Sequence, residues 1–337
     1  MERRTLSYIP KENRYEKMQF NYLGKSGLKV PAISLGLYRN FGDTDGFAAA
    51  KKMITTAFDL GITHYDLANN YGEPSGSAEI NFGRILNEEL SNYRDELLIA
   101  TKAGYDMWPG PYGEWGSRKY MLSSLDQSLK RLKLDYVDIY YSHRYDPQTP
   151  LEETVGALDT AVRQGKALYV GVSNYPADVT RKVIKLFKEL KTPFVSHQPN
   201  YSMFLRDAEN ELFNVLDEGG IGAIVFQPLY QGLLSTKYVN GIPNDSRIAK
   251  GVDSISAEQV TKERIERVQK LKAIAAERNQ SVAQMAIAWT LRHQVVSSAL
   301  IGASKTEQVI ENVGALDNLS FTFEELQAID NILGTFG

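Results

Sequence analysis

Eight short apolar runs, each followed by a stretch of helical period, constrain this chain more than any other feature of it. The strand candidates span 32–37, 63–67, 97–102, 136–143, 167–173, 194–198, 223–229 and 298–301. They are largely apolar runs rather than clean alternations, the pattern of strands covered on both faces. Amphipathic stretches lie at 46–60, 78–90, 118–132, 151–164, 178–190, 208–218, 262–279 and 306–316. Ser304 with Glu307 and Ser281 with Gln284 each fit the capping box, Ser-x-x-Glu/Gln. No Pro-, Gly- or Ser-rich linker divides the 337 residues. The pattern predicts an α/β chain in a single domain, 1–337, built as a (β/α)8 TIM barrel. An N-terminal β-hairpin, 19–23 and 28–31 around 24–27, is expected at the barrel bottom, and an extra helix at the C-terminus. Residues 1–18 read as an extension. The stretch 232–261 is far longer than an ordinary strand-to-helix loop, so it is either a lid or a disordered insert.

An open, doubly wound sheet has the same alternation, so the polar residues must decide. Asp66, Lys102, His143, Ser173, Asn174 and Gln198 all fall near the C-terminal ends of different strands. In a barrel those ends converge on one mouth, where such folds keep their chemistry. In an open sheet they would be strung along an edge. The barrel accounts for them better.

Several function classes drop out on composition. A net charge of −3 gives no electrostatic case for a nucleic acid or anionic membrane as partner. No apolar run is long enough to span a bilayer, and Met1 to Gln19 is polar and charged, unlike a secretory signal. The chain has no cysteine, which removes disulfides, thiolate nucleophiles and Cys-ligated metals together. His64, His197 and His293 lack ligand-like spacing and read as structural, so no metal is implied. A cytoplasmic location is the simplest expectation, with oligomerisation left open.

Asp66 ends Thr-His-Tyr-Asp, with Tyr71 five residues on; Lys102 and His143 end the next two runs. Singly, each has a plain structural reading: an ion pair, a packed turn tyrosine, a satisfied histidine. Together at one mouth they suit reduction of a carbonyl, whose oxygen must be protonated as hydride arrives. Tyrosine is a poor acid at a reference pKa of about 10. The Lys102 ammonium, held charged by Asp66, is expected to lower the Tyr71 pKa, while His143 directs the carbonyl oxygen. There is no Gly-x-Gly-x-x-Gly and no P-loop, so a phosphate needs another cradle. Ser304 and Lys305, opening the last barrel helix, are candidates, although a capping box alone usually means only a capped helix.

The motifs Asp66-Leu-Ala-Asn-Asn-Tyr71-Gly72, Ile99-Ala-Thr-Lys102, Asp138-Ile-Tyr-Tyr-Ser-His143, Gly165-Lys166 with Gly171-Val-Ser-Asn174, and Leu300-Ile-Gly-Ala-Ser304 occur in this order. From about Leu23 to Leu333 the chain resembles the aldo-keto reductases. It looks most like the branch of potassium-channel β-subunits and bacterial L-glyceraldehyde-3-phosphate reductases. The segment from Lys102 to Gly113 and the run Ser304-Lys-Thr-Glu-Gln308 with Glu311-Asn312 are especially like the bacterial group. The resemblance implies NADPH-dependent reduction of small aldehydes and ketones by a tetrad of Asp66, Tyr71, Lys102 and His143. It implies that Ser173, Asn174 and Gln198 hold the nicotinamide carboxamide and that Phe226 stacks on the ring. The loop Leu229 to Lys237, with Gln231, Gly232, Leu233 and Ser235, would cover the pyrophosphate, and Gln308, Glu311 and Asn312 would bind the adenosine end. Ser304 and Lys305 would bind phosphate, with Lys305 on a 2′-phosphate, and Gln227, Pro228 and Gly302 are further cofactor-binding candidates. In the loop after the third strand, Trp108 and Tyr112 are expected to wall a small substrate pocket. Arg118 and Arg144 are placed to reach a substrate anion.

Two rivals stand beside this reading. A Schiff-base aldolase would use Lys102 as nucleophile, which needs a depressed pKa that Asp66 should oppose. An NADPH-sensing regulatory subunit is the other. The channel β-subunits commonly carry Asn at the position of His143, which is His here, and no channel-binding tail is evident.

Overall fold

The computed structural model of the chain describes residues 8–239, 241–242 and 257–334. A hairpin of β1 (Phe20–Tyr22) and β2 (Lys29–Pro31) precedes β3 (Ile33–Gly36), α1 (Phe47–Asp59), β4 (His64–Asp66), α2 (Ser77–Ile85), β5 (Leu98–Ala103) and α3 (Arg118–Leu132). There follow β6 (Val137–Ser142), α4 (Leu151–Arg163), β7 (Ala167–Ser173), α5 (Ala177–Leu190), β8 (Phe194–Gln198), α6 (Leu212–Gly219) and β9 (Gly222–Phe226). The chain continues through α7 (Lys262–Glu277), α8 (Val282–Thr290), β10 (Val296–Ile301), α9 (Thr306–Val313) and α10 (Phe323–Leu333).

Strands β3 to β10 form a closed parallel barrel, β10 returning to β3 with Ala299 opposite Ile33 and Ile301 opposite Leu35. Closure excludes the open sheet and gathers every strand's C-terminal end at one mouth. At the other end the hairpin seals the barrel. Leu23 and Val30, with Leu28, pack against the inward residues Leu98, Ala100, Ile139, Tyr141, Ile224 and Leu300. Gly24 makes this approach feasible: its φ is +59°, and a Cβ there would lie 2.3 Å from the Gly220 carbonyl oxygen.

Several boundaries differ from expectation, each for a local reason. The helix expected over 78–90 gives way at Leu86–Leu90 to one wider π turn, which keeps Leu86 and Leu90 buried while Glu89 meets Lys51. Over 208–218, non-helical Glu211 (φ −143°) separates a 3-10 turn from α6. The strand expected to reach 229 stops at Phe226, because Gln227 takes φ +59°. Helix α8 has no amphipathic period, because eight of its nine residues are buried. Its capping box of Ser281 and Gln284 is present, and Thr322 with Glu325 forms another on α10. Ser304 and Glu307 form none; Lys305 is the N-cap of α9, without a side-chain cap bond. Of the long stretch 232–261, residues 240 and 243–256 lie outside the described residues, so whether it is a lid lies outside them too. The first seven residues of the extension do as well. Among the described residues, no helix is long and apolar enough to cross a membrane.

Candidate active site

Strand period places the chemistry. Leu98 and Ala100 face the barrel axis, so Lys102, one step further along β5, does too; Ile139 and Tyr141 carry His143 inward in the same way. Asp66 is the last residue of β4, and the turn after it returns Tyr71 over the strand end, its N–H bonded to Ala68 O.

Lys102 Nζ is fully buried and donates to Asp66 Oδ2 at 2.5 Å, Leu67 O at 2.8 Å and Tyr71 Oη at 3.3 Å. Three ammonium protons thus have three acceptors. The second carboxylate oxygen of Asp66 accepts from Gln198 Nε2 at 3.0 Å. Tyr71 Oη lies 3.5 Å from His143 Nε2, and the Tyr71 ring, partly covered, meets the rings of Tyr38 and His143 edge-on. Tyr105 packs against the far side of His143 at 4.7 Å, and His143 O accepts from Asn174 Nδ2 at 3.1 Å.

Burial dominates the electrostatics here, contrary to the expected order of effects. It pushes the Lys102 pKa below its ordinary value despite the Asp66 carboxylate beside it, so the pairing alone does not argue against a nucleophilic lysine. What argues against it is geometry: the amine is wholly enclosed and all its protons are engaged. The Tyr71 phenol is raised well above its usual range, first by burial and then by Asp66, so it rests protonated rather than lowered as expected from Lys102. Burial, then Lys102 and Arg144, hold His143 far below its ordinary pKa, leaving a neutral ring.

The loop after β5 is fastened to this corner. Arg144 Nε donates to Gly104 O at 2.8 Å, a terminal amino group pairs with Glu114 at 2.8 Å, and the guanidinium lies over the rings of Trp115 and Tyr105. Arg118 points elsewhere, with NH1 on Gly156 O of α4 at 3.1 Å. Arg144 thus holds the loop after β5, and Arg118 bonds α4 through one amino group. Trp108 is half-buried against Tyr120, whereas Tyr112 is exposed beside Lys119.

Around the remaining rim, Ser173 Oγ donates to Gln198 O at 2.8 Å and Asn174 Nδ2 also reaches Ser173 Oγ at 3.1 Å, so these residues form one polar cluster. Phe226 ends β9 half-buried against the inner apolar cluster. After it the backbone is unusual: Gln227, Tyr230, Gln231 and Gly232 all have positive φ. Pro228 and Leu233 are buried, and Leu229 is half-buried. Ser235 Oγ donates to Gly232 O and accepts from Lys237 N. Ser304 N–H and Oγ both donate to Gln308 Oε1, at 2.8 and 3.1 Å, so Gln308 folds back on its own turn. Glu311 accepts from Ser281 Oγ at 2.8 Å, Asn312 is buried, and a Cβ at Gly302 would meet nothing within 4 Å. The N-terminal N–H groups of α9 without a side-chain cap, beside exposed Lys305 and open Gly302, are chemistry that an anionic dinucleotide fits.

Tyr38 and Arg39, just beyond β3, were not singled out from the sequence, although the same signal, polar residues at a strand's C-terminal end, marks them. Gln198 was assigned to a ligand, and its bond to Asp66 was not foreseen.

The aldo/keto reductase family model matches residues 32–333. Proteins named L-glyceraldehyde 3-phosphate reductase from Escherichia coli O157:H7 and K12 are each 53% identical over 327 residues, covering 96% of this chain and 94% of theirs. A protein of Schizosaccharomyces pombe, named among the voltage-gated potassium channel β-subunits, is 37% identical over 328 residues, 94% of either chain. The chain belongs to the aldo/keto reductase family of NADP-dependent oxidoreductases.

Proposed function

We propose that this protein reduces short aldehydes, glyceraldehyde 3-phosphate and methylglyoxal among them, in the cytoplasm, with NADPH as reductant and Tyr71 as the general acid. One observation carries the reading: a fully buried Lys102 donates at once to Asp66 and to Tyr71, with neutral His143 within 3.5 Å of the same phenol. When bound, the nicotinamide would supply a hydride to the carbonyl carbon. The residues of the chain manage the oxygen. Neutral His143 has one N–H with which to fix the direction of the carbonyl, and cannot itself deliver a proton as an imidazolium. Tyr71, protonated at rest, gives its proton to the oxygen as charge develops there. Lys102 then stabilises the phenolate at 3.3 Å, and Asp66, held by Gln198, keeps the ammonium in place. General-acid help of this kind is typically worth about 10²–10⁴ in rate.

For the cofactor, Ser173, Asn174 and Gln198 would hold the carboxamide and Phe226 would stack on the ring. The backbone of residues 227–232, with positive φ at Gln227, Tyr230, Gln231 and Gly232, would lie over the pyrophosphate. Lys305 at the α9 N-terminus would take a 2′-phosphate, favouring NADPH over NADH. Short aldehydes are favoured because the relatives at 53% identity are named for a three-carbon aldehyde phosphate. The half-buried wall of Trp108 also suits a small pocket. The test is NADPH oxidation against a panel running from methylglyoxal and glyceraldehyde 3-phosphate to long sugars and steroids. Turnover should fall as the substrate lengthens. Tight NADPH binding with no turnover of any aldehyde would instead favour a regulatory subunit, the reading that the 37% relative supports. Substrate trapped on Lys102 by borohydride would favour the aldolase.

A further inference from the structure

Arginines follow β3, β5 and β6 at the mouth side of the barrel, and they are held differently. Arg144 is committed to Glu114, Gly104 and two rings, and Arg118 has one guanidinium bond, to α4. Arg39, like Arg118, forms no ion pair among the described residues. Its Nε is buried without a hydrogen-bond partner, and its one bond runs from a terminal amino group to Tyr38 Oη at 3.1 Å. The guanidinium lies over the Tyr38 ring, 4.6 Å from its centre, and that ring meets Tyr71 edge-on at 4.9 Å. One residue on, Asn40 holds φ +70° and donates to Ala303 O at 3.0 Å, which pins the loop between the catalytic tyrosine and the residues before α9. A positive charge is thus held one ring away from the phenol, over that ring, with part of its donor fork unmet. A buried donor without an acceptor is costly, and a guanidinium fork matches phosphate oxygens.

We infer that Arg39 is the phosphate-binding cation of the mouth, taking the phosphate oxygens of a short phosphorylated aldehyde whose carbonyl lies against Tyr71. This rests on the reading of the mouth as an aldehyde-reducing site. It replaces Arg118 and Arg144 in the recognition of substrate charge. The same chemistry could be met by the pyrophosphate of the dinucleotide, so the experiment has an arm for each source.

Arg39→Gln and Arg39→Lys are prepared in the full chain. Glycerol 3-phosphate, which has no carbonyl to reduce, is titrated calorimetrically into each protein with NADPH bound, and NADPH affinity is measured separately by fluorescence. The ratio of kcat/KM for glyceraldehyde 3-phosphate over glyceraldehyde is then compared. Arg39→Gln should weaken glycerol 3-phosphate at least tenfold and lower the ratio about as much, through KM rather than kcat. Arg39→Lys should restore part of both. A loss confined to NADPH affinity assigns the phosphate to the dinucleotide and overturns the substrate role. No change in any of the three overturns the inference altogether. If the unaltered protein binds glycerol 3-phosphate through Arg39 yet reduces no aldehyde, the proposed activity fails while the phosphate site stands.

Discussion

The corner built by β4, β5 and β6 and the rim built by β9 and α9 face the same mouth, and they are made by different means. In the corner, side chains do the work: Lys102 is enclosed with three acceptors, and Asp66 has both oxygens engaged. At the rim the backbone is the main instrument: three non-glycine residues at positive φ after Phe226, and α9 starting without a side-chain cap. Left-handed conformations of this kind cost free energy and persist where the surroundings or a ligand hold them. The difference suggests a corner complete before anything binds and a rim whose donors are completed by the cofactor.

The largest expected effect tests the corner's completeness. Lys102→Met leaves Asp66 charged in a buried site with only Gln198 as donor, and should cost about 3–5 kcal/mol in urea unfolding. Adding Asp66→Asn should recover much of it, because the stranded charge is removed. At the rim, Lys237 is exposed, and Lys237→Met should stay within about 0.5 kcal/mol. Equal losses at the two sites would mean that the corner is not the more tightly built region.

Next in size is the division of labour. Tyr71→Phe removes one hydroxyl that Lys102 and His143 both approach, and should cut turnover about 10²-fold or more. NADPH affinity should barely move, since the proposed cofactor contacts lie at the rim. Near-normal turnover with chemistry rate-limiting would take the acid role from Tyr71.

This contrast also explains what could be read from the sequence. Strand ends and residue type suffice to bring Asp66, Lys102 and His143 to one mouth, because a closed barrel gathers its strands' C-terminal ends; Tyr71 is carried there by the turn after β4. Neither predicts the balance of burial against charge, and so the directions at Lys102 and Tyr71 came out opposite to expectation. The rim is less legible still. Nothing in Gln227, Tyr230 or Gln231 announces positive φ, since these are not the glycines or asparagines that usually mark it. Helix α8 escaped because a segment buried all round has no polar face to give a period.

A third experiment asks whether the rim reads the cofactor's charge. Lys305 is exposed, forms no ion pair among the described residues and stands at the α9 N-terminus. Lys305→Ala should weaken NADPH by roughly 1.5–3 kcal/mol, the scale of a charge-assisted contact, and NADH much less. Equal weakening of both would move the 2′-phosphate elsewhere and leave α9 a binder of phosphate in general.

The smallest effect separates two serines that look alike in sequence. Ser281 and Ser304 both precede a Glu or Gln by three residues, yet only Ser281 caps its helix, accepting from Gln284 N at 3.2 Å while Gln284 Oε1 accepts from Ser281 N at 2.8 Å. Ser304 sits one residue too early and spends its hydroxyl on Gln308. Ser281→Ala should therefore cost about 1 kcal/mol of stability, as a lost cap does, and also release Glu311. Ser304→Ala in the cofactor-free protein should cost only a few tenths, because Gln308 Oε1 keeps its bond to the Ser304 N–H. With NADPH present the order should narrow if the Ser304 hydroxyl turns to a phosphate, since the ligand would then stabilise the unaltered protein more than the alanine variant. A Ser304→Ala cost as large as that of Ser281→Ala without cofactor would restore the capping box at 304–307 and remove the reason for regarding the α9 terminus as open.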